Sequence, residues 1–291
     1  MNESPCRDNS SNGSTEPLLV SVIVPTRNSE QYLDRCLKSI RSQNYPNIEL
    51  IVVDNFSTDS TLVIAHSYAD LILTAGPERS AQINIGAKRA TGEFVYRVDS
   101  DFVLDVTVIS ECMDLVKRGA EAVIVHNSPD VSVGFLSMIR RFEVNMYKYD
   151  LTHSSARFVR LSTFLELGGL DEDLTAGEDY DFQNRLTRAG VAVAFAHAEA
   201  LHLGEPRSLL TLLRKYFWYG GEFHRFRHKN RNSVESQGQL AFFRSVYFRN
   251  WKQFLAHPVL GVSFVLYHFA KFSAGGLGYL DSVLHKSRRQ V

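Results

Sequence analysis

The part of the chain between residues 18 and 204 alternates short apolar runs with segments whose apolar residues recur at helical spacing. The first run ends at Pro25, and the following segment places Leu33, Leu37 and Ile40 on one side of a helix. Such alternation predicts an α/β fold, with a mostly parallel sheet covered by helices on both faces. The pattern predicts strands at 20–24, 50–53, 71–73, 94–98, 122–125 and 191–196, helices at 29–41 and 81–90, and further helices that end near 66 and 186.

Acidic residues follow two of the predicted strands directly. Asp54 follows the second apolar run, and Asp99-Ser100-Asp101 follows the fourth. Because the carboxyl ends of parallel strands meet at one edge of a sheet, we expect these side chains to project into one crevice. Carboxylates on a tight loop can hold a divalent cation that also binds a nucleoside diphosphate. A solvated loop or a helix cap is the alternative explanation for each cluster.

The composition of the 291 residues is that of an ordinary globular protein, with 44% hydrophobic and 22% charged residues. This excludes a disordered, collagen-like or coiled-coil protein. The three cysteines, Cys6, Cys36 and Cys112, are far apart and form no CxxC pair, which argues against a disulfide framework or a zinc site. A reducing, cytoplasmic location is therefore expected.

The net charge of zero hides an asymmetry along the chain. Residues 1–204 hold 18 Lys and Arg against 28 Asp and Glu, whereas residues 205–291 hold 14 against 4. Together with the apolar pattern, this shift predicts a disordered leader at 1–17, an α/β domain at 18–204, and a helical, basic and aromatic region at 205–291. A strongly basic segment favours an acidic partner such as a membrane surface.

Several short motifs occur in a fixed order within the α/β domain. They are Val-Ile-Val-Pro-Thr-Arg-Asn at 22–28, Val-Val-Asp-Asn-x-Ser-x-Asp at 52–59, Gln82-x-Asn84-x-Gly86, Gly92-Glu93-Phe94, Asp99-Ser100-Asp101 and Gly177-Glu178-Asp179-Tyr180-Asp181. This series resembles the family 2 glycosyltransferases of the GT-A fold, and the resemblance covers about residues 18–204. It implies a catalytic domain, a nucleotide-sugar donor, a divalent metal (Mn²⁺ or Mg²⁺) and inversion at the anomeric carbon. Arg27 departs from the family, which commonly has an aromatic residue before the Asn.

The resemblance also assigns roles to the last of these motifs. It makes Asp179 the catalytic base, because an inverting displacement needs a carboxylate to take the proton of the attacking hydroxyl. Glu178 would contact the acceptor or orient the base. The alternative for Asp179 is a first-turn residue that only stabilises a helix through its dipole.

The remaining candidates near the donor lie in the first half of the chain. Asp54 fits a contact to the nucleotide base, and Pro25, Thr26 and Asn28 are expected to shape the loop beneath the nucleoside. Arg79 precedes a predicted helix, where its guanidinium could meet the diphosphate. A solvated arginine is the alternative for Arg79.

The metal candidates combine a carboxylate with an imidazole. Asp101 is assigned to the metal, and Asp99 is expected to touch the ribose or a metal-bound water. His202, just beyond the last predicted strand, is assigned to the metal or the diphosphate because imidazole is a common metal ligand. His197 competes for this role, and a structural histidine is the alternative for either.

The basic and aromatic region contains two notable segments. Residues 208–228 form a predicted helix, and 18 residues between Lys252 and Lys271 carry no formal charge. An interfacial helix or hairpin at 253–280 is favoured, with a soluble helical subdomain and a membrane crossing as alternatives. An interfacial position would place the protein at the inner face of a membrane and would favour a lipid-linked acceptor. No nucleic-acid partner is expected, since the upstream motifs include none of that kind.

Two other functions compete with glycosyl transfer. A sugar-phosphate nucleotidyltransferase uses a similar sheet but is expected to carry a Gly-rich, basic loop where this chain has Pro25-Thr26-Arg27-Asn28. A non-catalytic nucleotide-binding scaffold at the membrane would not need Asp99, Asp101 and Asp179 together. The favoured function is therefore an inverting, metal-dependent transfer of a sugar to an acceptor hydroxyl.

Overall fold

The structure is a computed structural model that describes residues 16–229 and 244–289. Residues 1–15 of the predicted leader and residues 230–243 of the basic region lie outside the described part of the chain. The strands form one sheet, and their bounds are β1 (Val20–Thr26), β2 (Ile48–Asp54), β3 (Leu71–Thr74), β4 (Phe94–Arg97), β5 (Phe102–Leu104), β6 (Ala122–Pro129), β7 (Phe158–Arg160) and β8 (Val193–His202).

Helices cover both faces of this sheet and continue beyond it. In the described residues they are α1 (Glu30–Arg41), α2 (Thr61–His66), α3 (Arg79–Arg89), α4 (Val108–Lys117), α5 (Phe135–Met146), α6 (Leu161–Glu166), α7 (Glu178–Arg188), α8 (Leu209–Lys229), α9 (Ser245–Arg249), α10 (Trp251–Ala256) and α11 (Pro258–Arg289).

The strand order β3-β2-β1-β4-β7-β6-β8-β5 confirms the predicted fold class. Strands β3, β2, β1 and β4 pair in parallel, as do β6 and β8, whereas β7 and β5 run in the opposite direction. The sequence analysis missed both reversed strands, because three residues are too few to show a period of two. It also missed the helices α4, α5 and α6.

Two apolar layers hold the helices against the sheet. One layer contains Val22 of β1 and Ile109 of α4, and the other contains Ile23 of β1 and Phe182 of α7. Val22 and Ile23 are neighbours that enter different layers, because successive side chains of a strand point to opposite faces. Both faces of the sheet are thus buried, which leaves its carboxyl edge as the place where a ligand can approach the strands.

The Gln82 motif in α3 positions the loop that follows β1. The Gln82 side-chain amide donates to the carbonyl oxygen of Thr26 (2.9 Å). A side chain on Gly86 would meet Ile23 at 2.7 Å, so the glycine allows α3 to lie this close to β1. These contacts fix the end of β1 relative to α3, whose first residue is Arg79.

The C-terminal helices form a third apolar cluster together with α5. Phe142 of α5 packs with Phe264 of α11, which in turn contacts Tyr247 of α9. Helices α8 and α11 approach very closely, since a side chain on Gly278 would lie 1.8 Å from the carbonyl oxygen of Phe217. Among the helices of residues 16–229 and 244–289, none has the length and apolar character needed to span a membrane.

Candidate active site

The loops after β1 and β2 form one hydrogen-bonded unit at the carboxyl edge of the sheet. Asp54 is fully buried and accepts hydrogen bonds from Thr26 Oγ1 (2.9 Å) and from the amide (2.8 Å) and hydroxyl (2.5 Å) of Ser57. Asn28 accepts from the Thr58 amide through Oδ1 (2.9 Å) and adopts a positive φ of 48°. Each loop therefore holds the other in place.

This unit contains the four residues expected beneath the nucleoside. Pro25 and Thr26 are buried, whereas Asn28 is exposed. Both carboxylate oxygens of Asp54 accept hydrogen bonds within the loops, which gives this residue a structural role. A contact between Asp54 and the nucleotide base stays a prediction.

Three arginines and three carboxylates meet beside these loops. Arg79 Nη1 lies 2.5 Å from Asp99 Oδ1, and Arg79 Nη2 lies 2.9 Å from Glu178 and 3.1 Å from Asp179 Oδ2. A single guanidinium thus joins α3, the loop after β4 and the start of α7. The members of this carboxylate–arginine cluster are Arg79, Arg97, Asp99, Arg157, Glu178 and Asp179.

The other two arginines of the cluster, Arg157 and Arg97, contact Asp99 and Asp179. Arg157 Nη1 lies 2.6 Å from Asp99 Oδ2, and its Nη2 lies 3.4 Å from Asp179 Oδ2. Arg97 ends β4, is only 1% exposed, and holds Asp179 Oδ1 at 2.9 Å. The two oxygens of Asp179 therefore differ, since Oδ1 faces the buried arginine and Oδ2 faces the two accessible ones.

These contacts lower the pKa of two of the carboxylates. Burial by itself would raise the pKa of Asp99, but Arg157 and Arg79 outweigh it and hold the pKa well below its usual range. Burial likewise opposes ionisation of Asp179, yet Arg79, Arg157 and Arg97 keep its pKa very low. Both groups are carboxylates throughout the physiological pH range.

Glu178 differs from its neighbour in the direction of its pKa shift. Burial and then the negative charge of Asp179 raise the pKa of Glu178 above its ordinary value, and the single contact with Arg79 does not reverse this. Adjacent carboxylates with opposite shifts are typical of functional sites.

Asp101 and His202 meet at the other end of the acidic tripeptide. Antiparallel pairing of β5 with β8 places Phe102 opposite His202 and brings Asp101 Oδ2 to 3.1 Å from His202 Nε2. His202 is the last residue of β8, so the sequence analysis ended this strand too early. His197 lies earlier on β8, where its Nδ1 contacts the Tyr149 hydroxyl at 3.0 Å, and the structure does not bring it to Asp101.

Glu205 fixes the orientation of the His202 ring. Its Oε1 lies 2.6 Å from His202 Nδ1, while Arg140 lies 2.9 Å from its other oxygen. Burial lowers the pKa of His202, but the hydrogen bonds with Asp101 and Glu205 outweigh it and raise the pKa to about 9. The imidazole is therefore protonated near neutral pH in the ligand-free protein.

The Asp101–His202 pair has the chemistry of a partial site for Mn²⁺ or Mg²⁺. A carboxylate and an imidazole suit manganese, and a second carboxylate on the far ring nitrogen is the usual support of a metal-bound histidine. Within residues 16–229 and 244–289, no group of three or more His, Cys, Asp or Glu side chains is placed to hold a metal. A diphosphate would have to supply further oxygens, and His202 would lose its proton on binding.

Gly204 makes the close approach of these side chains possible. A side chain at this position would lie 2.0 Å from Asp101 Oδ2 and 3.4 Å from His202 Nε2. Any larger residue would therefore displace Asp101 from His202.

A cavity of about 730 Å³ opens next to the carboxylate–arginine cluster. Arg157, Glu178 and Asp179 line one side of it, and residues of α8 and α11, among them Lys215 and Gly276, line the other. Five Lys or Arg residues and three Asp or Glu residues contribute to the wall. The C-terminal helices thus complete the cavity and contribute Lys215 and Lys271 to its charged wall.

The sequence profile of glycosyl transferase family 2 matches residues 21–164, which include β1 to β7 and the acidic tripeptide. The chain carries a family 2 glycosyltransferase domain. Glycosyltransferase AglE of Haloferax volcanii is 28% identical over 220 residues, which cover 69% of this chain and 71% of AglE. The poly(ribitol-phosphate) beta-N-acetylglucosaminyltransferase TarS of Staphylococcus aureus is 41% identical over 92 residues, 28% of this chain. That match spans only 16% of the length of TarS.

Solved structures of other glycosyltransferases share the fold of this glycosyltransferase domain and its C-terminal helices. The crystal structure of TarS residues 1–349 with UDP-GlcNAc has a TM-score of 0.55 and 21% identity, and covers 94% of this chain and 92% of that one. Mannosyltransferase PcManGT from Pyrobaculum calidifontis, in complex with GDP-Man and Mn²⁺, has a TM-score of 0.57 and 19% identity, with coverages of 94% and 81%. At sequence identities this low, the structural similarity shows that the proteins share a fold.

Four residues of the candidate site were not predicted from the sequence. Arg97 had a visible signal, because it is a charged residue at the end of an otherwise apolar strand. Gly204 and Glu205 stand in the same short segment as His202, but only the folded loop shows that they position it. Arg157 had no signal, since it meets Asp99 only through the antiparallel pairing of β4 with β7.

Proposed function

We propose that this protein is an inverting, metal-dependent glycosyltransferase that moves a sugar from a nucleoside diphosphate to an acceptor hydroxyl. The observation that carries the proposal is the position of the carboxylate–arginine cluster between the Asp101–His202 pair and the cavity. This arrangement provides cations for a diphosphate at one end and a carboxylate beside an acceptor space at the other.

Arg79 and Arg157 are the proposed contacts of the donor diphosphate. Their side chains are 30% and 12% exposed, whereas that of Arg97 is 1% exposed, so they are the arginines that a ligand reaches. Guanidinium groups bind phosphate oxygens in a bidentate manner, as they bind carboxylates. A bound diphosphate therefore competes with Asp99 and Asp179 for the same two arginines.

This competition gives Asp179 its proposed role as the base. When Arg79 and Arg157 turn to the diphosphate, Asp179 Oδ2 loses two cations and its affinity for a proton increases. Arg97 still holds Oδ1 and keeps the carboxylate oriented. The acceptor hydroxyl transfers its proton to Oδ2 as its oxygen bonds to the anomeric carbon, and the bond to the diphosphate oxygen breaks on the opposite side. Glu178 is proposed to contact the acceptor or to orient Asp179.

Asp101 and His202 are the proposed protein ligands of Mn²⁺ or Mg²⁺, with Asp99 near the ribose or a metal-bound water. The bound metal would neutralise the negative charge of the departing diphosphate. Glu205 keeps His202 Nε2 directed at Asp101. The Mn²⁺ in the complex of PcManGT with GDP-Man supports this choice of ion.

Pro25, Thr26, Asn28 and Asp54 are proposed to form the floor beneath the nucleoside. The base is left open between uridine and guanosine, because the related structures hold UDP-GlcNAc and GDP-Man. Both nucleotides therefore belong in the first experiment.

The acceptor is proposed to be lipid-linked and to reach the cavity from the side of the C-terminal helices. The same helices carry a large exposed apolar surface (Phe269 66%, Leu277 60%). A protein that works on such an acceptor would lie at the inner face of a membrane.

The direct test is a panel of UDP- and GDP-sugars with Mn²⁺, Mg²⁺ or a chelator, together with a lipid-linked and a water-soluble acceptor sugar. We expect release of nucleoside diphosphate that requires the metal, and a product whose anomeric configuration is opposite to that of the donor. Release of pyrophosphate from a nucleoside triphosphate and a sugar phosphate would instead identify a nucleotidyltransferase. Nucleotide binding without turnover of any donor would indicate a scaffold, and a product of unchanged configuration would contradict the inverting mechanism.

A further inference from the structure

The last helix, α11, differs on both faces from a helix that faces water. The face packed against the rest of the protein buries His268 and Lys271, and Lys271 forms an ion pair with the buried Glu143 of α5. The face that points away from the protein is apolar. Between 48% and 68% of each side chain is exposed in nine residues, which we call the apolar stripe: Val259, Val262, Val265, Leu266, Phe269, Leu277, Leu280, Val283 and Leu284.

The apolar stripe runs along one side of α11. At about 100° per residue its members fall within an arc of about 120°, and at about 1.5 Å per residue the stripe is about 38 Å long. Ser273 and Gly276 complete this arc. Between Val259 and Leu284, all of which the structure describes, no charged residue occupies the arc, because Lys271 is buried and Asp281 lies beside it.

The two short helices before α11 extend the exposed apolar surface. Phe248, Trp251 and Leu255 are 67%, 55% and 70% exposed. Lys252, next to Trp251, is exposed as well. Tryptophan beside a basic residue is the combination found at the boundary between lipid tails and headgroups.

Water is a poor environment for a surface of this kind. Soluble monomers rarely expose a continuous apolar patch larger than a few hundred Å², and larger patches mark a contact with a partner or a membrane. The charge of the surrounding segment distinguishes between these, since residues 205–291 contain 14 Lys and Arg against 4 Asp and Glu. An uncharged stripe within a strongly basic segment complements the lipid tails and anionic headgroups of a membrane surface.

We propose that the apolar stripe inserts into the surface of an anionic lipid bilayer, with α11 parallel to the membrane plane and Trp251 at the headgroup level. Attraction of the basic residues brings the protein to the surface, and burial of the apolar stripe holds it there. This contact is a property of the C-terminal helices and does not depend on the proposed transfer reaction.

The position of the cavity gives the contact a consequence that does rest on the proposed function. Phe272, Gly276 and Tyr279 of α11 line the cavity, so one helix borders both the membrane and the acceptor space. A lipid-linked acceptor can keep its chain in the bilayer while its head group enters the cavity.

The test uses the full chain and vesicles of phosphatidylcholine alone or with phosphatidylglycerol. The chain contains two tryptophans, Trp218 and Trp251, and both are exposed on C-terminal helices. We expect a blue shift of their emission and co-sedimentation with the anionic vesicles, with part of the binding retained at high salt. The triple variant Val262→Ser, Leu266→Ser, Phe269→Ser should bind these vesicles at least about tenfold more weakly.

A matched triple variant controls for the loss of exposed apolar side chains in general. Val63, Phe135 and Leu165 are 71%, 51% and 43% exposed on other helices, and their replacement by serine should leave vesicle binding unchanged. All six substitutions lie on exposed positions, and circular dichroism checks that both variants fold. Deletion of 253–280 is unsuitable, because it also removes the buried Phe264, Tyr267 and Lys271.

Three outcomes would overturn the proposal. They are the absence of binding to anionic vesicles at low salt, equal binding by the wild type and the stripe variant, and a concentration-dependent dimer that the stripe variant abolishes while vesicles have no effect. The last would make the stripe a contact between two copies of this chain. Calorimetry of nucleoside diphosphate binding in the same preparations tests the donor site separately. Vesicle binding therefore tests the membrane contact, and nucleotide binding tests the proposed function.

Discussion

The sheet and the C-terminal helices place charge in opposite ways. In the sheet, apolar side chains fill both layers and the ionised groups gather at the carboxyl edge, where Asp99 and Asp179 meet Arg79 and Arg157. In the C-terminal helices, an ion pair lies inside among apolar residues such as Phe264, and the exposed side of α11 is apolar as well. The first arrangement suits a surface that binds a polar ligand from water. The second suits a surface that does not face water. This difference indicates that the two regions contact different partners.

The strongest way to test the polar half of this comparison is Asp179→Asn. The amide keeps the shape of the side chain but cannot take a proton, so transfer should fall by about 10²- to 10⁴-fold. Affinity for nucleoside diphosphate should persist, because Arg79 and Arg157 remain. Turnover with a matched donor and calorimetric nucleotide binding measure the two effects.

Asp114→Asn is the control for this variant, since Asp114 is exposed and pairs only with Lys117 among the contacts described. It should have wild-type turnover. If Asp179→Asn retained more than a few tenths of the wild-type activity, another residue would have to be the base.

A second variant, Asp101→Ala, separates metal binding from the rest of the site. It removes one proposed ligand from the half-buried turn before β5 without opening a cavity in the core, so the fold should be retained. We expect nucleoside diphosphate affinity in Mn²⁺ to fall about 100-fold, whereas the affinity measured in chelator should be unchanged. Gly204→Ala should produce part of this effect, about 10-fold, by displacing Asp101 from His202.

Asp99→Ala is the comparison variant within the same tripeptide and should weaken binding less than Asp101→Ala. Equal Mn²⁺-dependent affinity in the wild type and Asp101→Ala would contradict the assignment of this residue to the metal.

The buried ion pair between Lys271 and Glu143 is tested by Glu143→Gln. Burial opposes ionisation of Glu143, but Lys271 outweighs it and lowers its pKa from 4.5 to about 2. A lowered folded pKa means that the stabilising effect is present above about pH 4.5 and is lost as the pH falls toward 2. The wild type should therefore exceed the variant in free energy of unfolding by up to about 3 kcal/mol at neutral pH, and the difference should shrink between pH 4.5 and 2.

Tryptophan emission reports this transition, because Trp218 lies on α8 and Trp251 on α10, and both helices pack against α11, which carries Lys271. A difference in stability that stays constant from pH 7 to pH 2 would show that the charge of Glu143 contributes nothing.

The smallest effect is expected where the two regions meet, at the cavity. Gly276 lines it, and a Cβ at this position would have no neighbour within 4 Å. Gly276 also lies at the edge of the apolar stripe, so Gly276→Leu is tested without vesicles, where it should fill acceptor space and raise the KM of a water-soluble acceptor about tenfold, with unchanged donor affinity. Gly276→Ala serves as the small control, and an equal effect of Leu on donor and acceptor affinity would place the acceptor elsewhere.

The sequence predicted the architecture of the sheet well because periodicity is a local property. Each of the strands β1 to β4 has its own apolar run and a following polar loop, and parallel strands carry those loops to one edge. The positions of Asp54, Asp99 and Asp101 at that edge follow from this pattern, whereas Asp179 was a candidate only through the family resemblance. The short reversed strands and α4 to α6 carried weaker local signals and were missed.

The sequence by itself determined the fold class, the edge at which the acidic residues gather and the basic character of the C-terminal third, because each depends on residue types and short spacings. Only the tertiary structure decided which partners meet. The register of β5 against β8 selected His202 over His197 for Asp101, and the pairing of β4 with β7 brought Arg157 to Asp99. Packing also decided which face of α11 is buried. An apolar stripe on a helix is compatible with burial or exposure, and the ion pair between Lys271 and Glu143 places the opposite face of the helix in the interior.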